Sequence, residues 1–289
     1  MESALSIRQL HVTFRTGLLR REVAALRGID LEVAPGEIAG VLGPNGSGKT
    51  SLLRVLAGLQ APTRGSVQVL GRSPTDPALV QWVGFQPEAP PPMPFLTGRE
   101  SLLHTGWLLR MPAGEIPTRA DALLEQLGLA DARHRQVRTW STGMQKRLGL
   151  AVALMPRPRV LLLDEPTSGL DPLGSRAIVE MLRSEAAAGT TVLLASHHLQ
   201  EVEALCQRVA VLHQGTLAAS GTLDQLLGRG DLELVLRGLD EDGLRRLQEW
   251  CNSLGAQVVS SSRAREHLFE LFRRVAEQGV QRQGDGRAP

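Results

Sequence analysis

The chain has 289 residues, more than one ordinary domain needs, so one large α/β domain with a small appendage is expected. Lys and Arg total 32 against 30 Asp and Glu, and a net charge of +2 is too weak to argue by itself for a nucleic-acid partner. No stretch of about 18 apolar residues and no signal-type N-terminus is present, so any work at a membrane must go through another polypeptide. The two cysteines, Cys206 and Cys251, lack metal-ligand spacing and read as buried small hydrophobes of a reduced protein.

In chain order, residues 5–14 alternate apolar and polar, a basic turn-like stretch RTGLLRRE follows, and residues 23–33 resume the strand pattern. This predicts a hairpin-type β layer. Residues 35–59 read as turn, buried strand, Gly-rich loop and a helix with leucines at helical spacing. The strands SVQVLG and QWVGFQ then precede a proline cluster at 87–95, which cannot donate ladder hydrogen bonds and reads as an extended connector. Helical patterns dominate from Gly98 to Met155, predicting a helical subdomain at about 88–155 inserted into an α/β core.

The α/β pattern returns with RVLLLDEP, a helix from Pro172 to Ala188, the strand TTVLLAS and the helix LQEVEALCQ, implying a parallel sheet. Two short strands about His213-Gln214-Gly215 follow, and the core ends near Leu227, giving a first domain at 1–227. Beyond a GRG linker, strand, helix, strand and helix patterns predict an α+β accessory domain at 228–278, with a disordered tail at 279–289.

Gly43-Pro44-Asn45-Gly46-Ser47-Gly48-Lys49-Thr50 matches GxxxxGK[ST] at every fixed position, between a buried strand and a helix. Backbone N–H groups of such a loop wrap phosphates, aided by the helix N-terminus, with Ser51 next in line. Lys49 should reach the β- and γ-phosphates of ATP, and the Thr50 hydroxyl should ligate Mg²⁺. The strand VLLLDEP ends in Asp164 and Glu165, at the carboxyl edge where α/β ligands bind. Asp164 would hold the metal and Glu165 would take a proton from the attacking water; the plainer reading is an acidic turn capping the next helix.

Further motifs narrow the class. Trp140-Ser141-Thr142-Gly143-Met144 with Gln145-Lys146-Arg147-Leu148 resembles the LSGGQ signature of ABC ATPases, with Trp140, Thr142 and Met144 departing from it. Glu165-Pro166-Thr167-Ser168-Gly169-Leu170-Asp171 resembles the Walker B and D-loop stretch, and Ser196-His197-His198-Leu199 the H-loop. With PGEI ahead of the phosphate loop, the resemblance covers roughly residues 5–225.

The resemblance implies a P-loop NTPase core with an antiparallel β subdomain and an inserted helical subdomain. Ser141, Gly143 and Asp171 then serve a nucleotide held with a second subunit, while His197 joins Glu165 at the attacking water. Aligning Gly84 and Phe85 with the family pattern places the Q-loop position, a ligand of Mg²⁺ or its water shell, at Glu88 rather than Gln86. The adenine-stacking aromatic falls at Phe14, for which core packing is the competing reading.

Such a chain hydrolyses ATP sandwiched in a homodimer and drives separate permease subunits, which would be met near the proline connector and helical subdomain. The resemblance also points to exporters of antibiotics, lipids, polysaccharides or metals, and to a cytoplasmic protein held at the membrane's inner face by its permease. A soluble ABC ATPase acting on nucleic acid or ribosomes is the rival class. Those carry a long coiled-coil insertion or two cores, and neither is found here.

Overall fold

The computed structural model describes residues 3–16, 21–89, 93–227 and 240–253. The chain divides into two compact units, Met1–Gly228 and Arg229–Pro289. The tip of the first hairpin, part of the proline connector, the strands and second helix expected after residue 228 and the C-terminal tail lie outside the described residues.

The first unit opens with β1 (Leu5–Thr16) and β2 (Arg21–Val33), followed by β3 (Ile38–Leu42), α1 (Lys49–Leu56), β4 (Arg64–Val69) and β5 (Val83–Gln86). Three longer helices come next: α2 (Gly98–Leu108), α3 (Ile116–Gln126) and α4 (Thr142–Leu154). The core resumes with β6 (Val160–Asp164), α5 (Pro172–Ala187), β7 (Thr191–Ser196), α6 (Leu199–Leu205), β8 (Arg208–His213), β9 (Thr216–Thr222) and α7 (Leu223–Leu227). Within the second unit, α8 (Glu241–Ser253) is described. Cys206 is buried as expected, but Cys251 on α8 is only half-buried, because that helix presents a polar surface around it.

Two sheets form. The antiparallel one has the order β2-β1-β4, and the larger has β5-β6-β7-β3-β8-β9, parallel except for the β8–β9 pair. Strands β6 and β7 are buried at every residue, as a parallel sheet covered on both faces requires. Their side chains alternate between two cores. Leu161, Leu163, Val192 and Leu194 join the helical side, with α4, α5 and α6. Val160, Leu162, Leu193 and Ala195 join Leu52, Leu53 and Leu56 of α1 and the antiparallel sheet.

The helical subdomain is capped with care. Thr97 and Glu100 form a reciprocal capping box on α2, and Ser141 caps α4 by accepting from the Met144 N–H at 3.2 Å. Trp140, a departure from the signature pattern, is 4% exposed, and its ring fills the space beside Gly98, where a Cβ would meet it at 2.2 Å. The expected strand QWVGFQ is shorter than read, since Pro77–Gln81 forms a 3-10 turn started by Asp76, whose side chain accepts from the Ala78 N–H.

Strand β5 meets α4 so closely that a Cβ on Gly84 would stand 2.3 Å from the Ala153 carbonyl oxygen. Gly84→Ala must therefore push backbone apart, and should cost about 1–3 kcal/mol by overpacking. Gly114→Ala, at a position open to solvent, serves as the control and should stay within about 0.5 kcal/mol. Urea denaturation of the two variants checks the contrast.

Candidate functional site

Sheet order assembles the site. β6, β7 and β3 are neighbours and parallel, with Asp164 paired to Ala195 and Leu42 to Ser196, so their carboxyl ends stop in line. The residues that follow each end, Glu165, His197 and Gly43, therefore meet at one edge.

The loop from Gly43 to Gly48 leads directly into α1. Gly48 holds a left-handed conformation at φ 107° and lies against the Ala25 carbonyl of β2, where a side chain would clash. Because glycine occupies the cap, no side chain caps α1, and its first N–H groups are left to bind an anion. Ser47 is 2% exposed with its Oγ buried and without a partner. Lys49, 6% exposed, folds back so that Nζ donates to the Gly43 carbonyl at 2.7 Å and to that of Pro44 at 3.4 Å.

The same ammonium stands 3.7 Å from Oε1 of Glu165, and that oxygen lies 2.8 Å from Nδ1 of His197. The other carboxylate oxygen of Glu165 is buried without a partner. A line Lys49–Glu165–His197 thus runs from the phosphate loop to the edge of solvent, where His197 is 44% exposed. Ser196 fixes the turn carrying His197: its Oγ donates to Glu201 and accepts from the His198 N–H, both at 3.0 Å. His198 is exposed and stacks on His197 with ring centroids 4.0 Å apart.

Asp164 is 2% exposed and accepts a hydrogen bond from Thr50. Burial pushes its pKa up, and the charges of Glu88 and Glu165 add to this, while the Thr50 bond and Lys49 oppose it. A carboxylate whose charge is disfavoured by its surroundings, beside a hydroxyl, is a donor set suited to a hard divalent cation.

Other expected site residues lie elsewhere. Ser141 and Asp171 are exposed at the starts of α4 and α5; Asp171 Oδ1 accepts from the Gly174 N–H at 2.7 Å. Gly143 approaches Leu170, so the two loops stand side by side. Glu88 is exposed, yet its charge is felt at Asp164. Gln86 points inward, 1% exposed, with Nε2 donating to the Lys146 carbonyl at 3.1 Å. Phe14 is half-buried, pairs with Val23 and leans on the core behind the antiparallel sheet.

Lys146 carries a contact that sequence reasoning missed: its Nζ donates to the main-chain carbonyl of Glu165 at 2.5 Å. The only signal was a basic residue inside an otherwise apolar helix face.

Comparison with known proteins agrees with this geometry. Residues 26–168 match the family model described as ABC transporter. An uncharacterized ABC transporter ATP-binding protein of Nostoc sp. is 38% identical over 93% of this chain and 89% of its own length. The Nod factor export ATP-binding protein I of Paraburkholderia xenovorans is 40% identical over 71% of this chain and 68% of its own. A dimeric ATP-binding cassette solved in a post-hydrolysis state with ADP and Pi superposes with a TM-score of 0.69 at 25% identity, covering 76% of this chain and 98% of that one. With an ABC ATPase cassette fold and a relative matched over nearly its whole length, the chain belongs to the ATP-binding proteins of the ABC transporter family.

Proposed function

We propose that this chain binds ATP with Mg²⁺ at the Gly43–Ser51 loop, hydrolyses it through Glu165 and His197, and works as half of a dimer that drives a separate membrane permease in export. The observation that carries the reading is the line from buried Lys49 and Glu165 to His197 at the solvent edge, beside an uncapped helix start. The direction of transport rests on the export named for the Paraburkholderia relative.

In this reading the phosphates lie on N–H groups of the Gly46–Ser51 stretch, where that of Ser47 now donates to the Pro44 carbonyl at 3.1 Å, and Lys49 exchanges the Gly43 carbonyl for β- and γ-phosphate oxygens. That movement releases Glu165 from its cation and leaves it a free base. Water held by His197 then attacks the γ-phosphorus; its proton passes to Glu165, the bond to the bridging oxygen breaks, and ADP leaves. Thr50 and Asp164 would hold Mg²⁺, with Glu88 reaching its water shell, and the ion would neutralise charge on the phosphates. Phe14 would offer its ring to adenine.

The exposure of Ser141 and Asp171, with Gly143 half-buried beside them, supports the dimer, because these helix starts are open to a nucleotide held by a second copy. The structure related by superposition is itself dimeric. For the permease, the supporting feature is an apolar surface: Leu59 and Val80 line a groove of about 330 Å³, and a bond from Gln81 to the Leu109 carbonyl joins its rim to α2, where Trp107 and Leu108 are exposed. Among the described residues no helix is long and apolar enough to cross a membrane. The chain would then sit on the cytoplasmic face through its partner.

Three outcomes test this. Lys49→Ala should abolish both nucleotide affinity and turnover in an equilibrium titration and a phosphate-release assay, since the charge on the phosphates is lost. Glu165→Gln should keep ATP binding while hydrolysis falls about 10²–10⁴-fold. With Mg²⁺-ATP that protein should become a stable dimer by light scattering, and adding Ser141→Arg should undo it; wild-type turnover in the Gln variant would refute the base. Trp107→Glu should leave the free chain's ATPase intact but remove its co-purification with the permease.

A further inference from the structure

Lys146 is 4% exposed, although lysine is rarely buried so deeply without a specific partner. It lies in the second turn of α4, just beyond the segment that presents Ser141 and Gly143 at the surface. Its ammonium reaches across to the Glu165 carbonyl at 2.5 Å. Its own carbonyl is held by Gln86, at the end of β5, so both ends of the residue are fixed.

The peptide it grips is unusual. Glu165 adopts φ 50°, a left-handed conformation that costs a non-glycine residue energy and persists only where neighbours enforce it. Three bonds do so: the Glu165 N–H donates to the Ala195 carbonyl at 2.9 Å, and the Glu165 carbonyl accepts from Lys146 and, at the longer distance of 3.3 Å, from the Ser168 N–H. With the backbone turned this way, the side chain lies where Lys49 and His197 meet it. Burial pulls the pKa of Lys146 down, while the charges of Glu88, Glu165, Glu201 and Asp164 hold it up. The ammonium is therefore the buried counter-charge of the carboxylate-rich side of the site.

We propose that Lys146 is a positioning residue for hydrolysis: it couples the start of α4 to the main chain of Glu165, so that a load on Ser141 and Gly143 reaches the base of the same chain. The idea rests on the dimer reading above. A nucleotide contacted through Ser141 belongs to the opposite site, so Lys146 would let occupancy of one site set the geometry of the other. A rigid helix carries that displacement, because Lys146 follows the cap by little more than one turn.

The test compares Lys146→Met, which keeps the stem and removes the donor, with Lys146→Arg. In the full chain with Mg²⁺-ATP, Lys146→Met should hold nucleotide affinity within about threefold while kcat falls about 10- to 100-fold, the scale of a misplaced catalytic group. Lys146→Arg should recover most of that loss. In the Glu165→Gln background, Lys146→Met should still dimerise with Mg²⁺-ATP, showing the Ser141 contact intact. Should Lys146→Met not fold, Gln86→Met, which frees the Lys146 carbonyl, is read for a smaller loss of kcat, about threefold, at unchanged affinity. An unchanged kcat, a loss shared equally by affinity, or no recovery with Arg would overturn the proposal. If Glu165→Gln is inactive while Lys146→Met is normal, the coupling alone fails; if Glu165→Gln is normal, the base assignment fails first.

Discussion

A carboxylate with only 6% of its side chain exposed dominates this molecule, because the charge of Glu165 must be matched or its burial is prohibitively costly. Lys49 supplies a cation from one side and His197 a ring nitrogen at 2.8 Å from another, and Lys146 holds its main chain from a third. The same contacts keep Lys49 folded onto the Gly43–Gly48 loop, so a cation is stored where the proposed function needs one. In the proposed mechanism, binding is an exchange of partners for Lys49 with little creation of new charge, and Glu165 loses its cation when a proton acceptor is wanted.

That arrangement depends on the parallel sheet. Adjacent strands ending at one level bring residues from three distant stretches, about 43–50, 164–165 and 196–197, into contact at one edge. Coverage on both faces keeps the level fixed: α1 and the antiparallel sheet seal one side, and α4, α5 and α6 the other. The tight passage of α4 over Gly84 belongs to the same logic, for it seats the helix whose Lys146 carbonyl meets Gln86 of β5.

The second set of motif residues obeys a different rule. Ser141 and Asp171 spend their side chains on capping their own helices and stay exposed. Each cap leaves its helix start pointing outward, with a partial positive charge at α4 suited to a phosphate from another molecule. Capping and recognition use the same geometry, which is why one residue can serve both.

The sequence by itself determined the phosphate loop, the Asp164-Glu165 strand end and the order of the ABC motifs, because these depend on local spacing: glycines at fixed intervals, an apolar run closed by carboxylates, a Ser ahead of a helix. It also revealed the two-layer core, since alternation within β1 and β2 and unbroken apolar runs in β6 and β7 are set by how many faces each sheet buries. Tertiary structure decided what spacing cannot encode. That Gln86 faces inward while Glu88 faces out follows from where β5 stops: the two-residue period would put both on one face, but the strand ends at Gln86, which α4 covers, and Glu88 lies beyond it. The shortened β5 reflects an Asp76-capped turn, and Trp140 is accepted in place of the usual residue because Gly98, some forty positions away, leaves room for its ring. Lys146 was invisible as a functional residue because its partner is a backbone carbonyl, a group every residue has, and only the fold selects which one it meets.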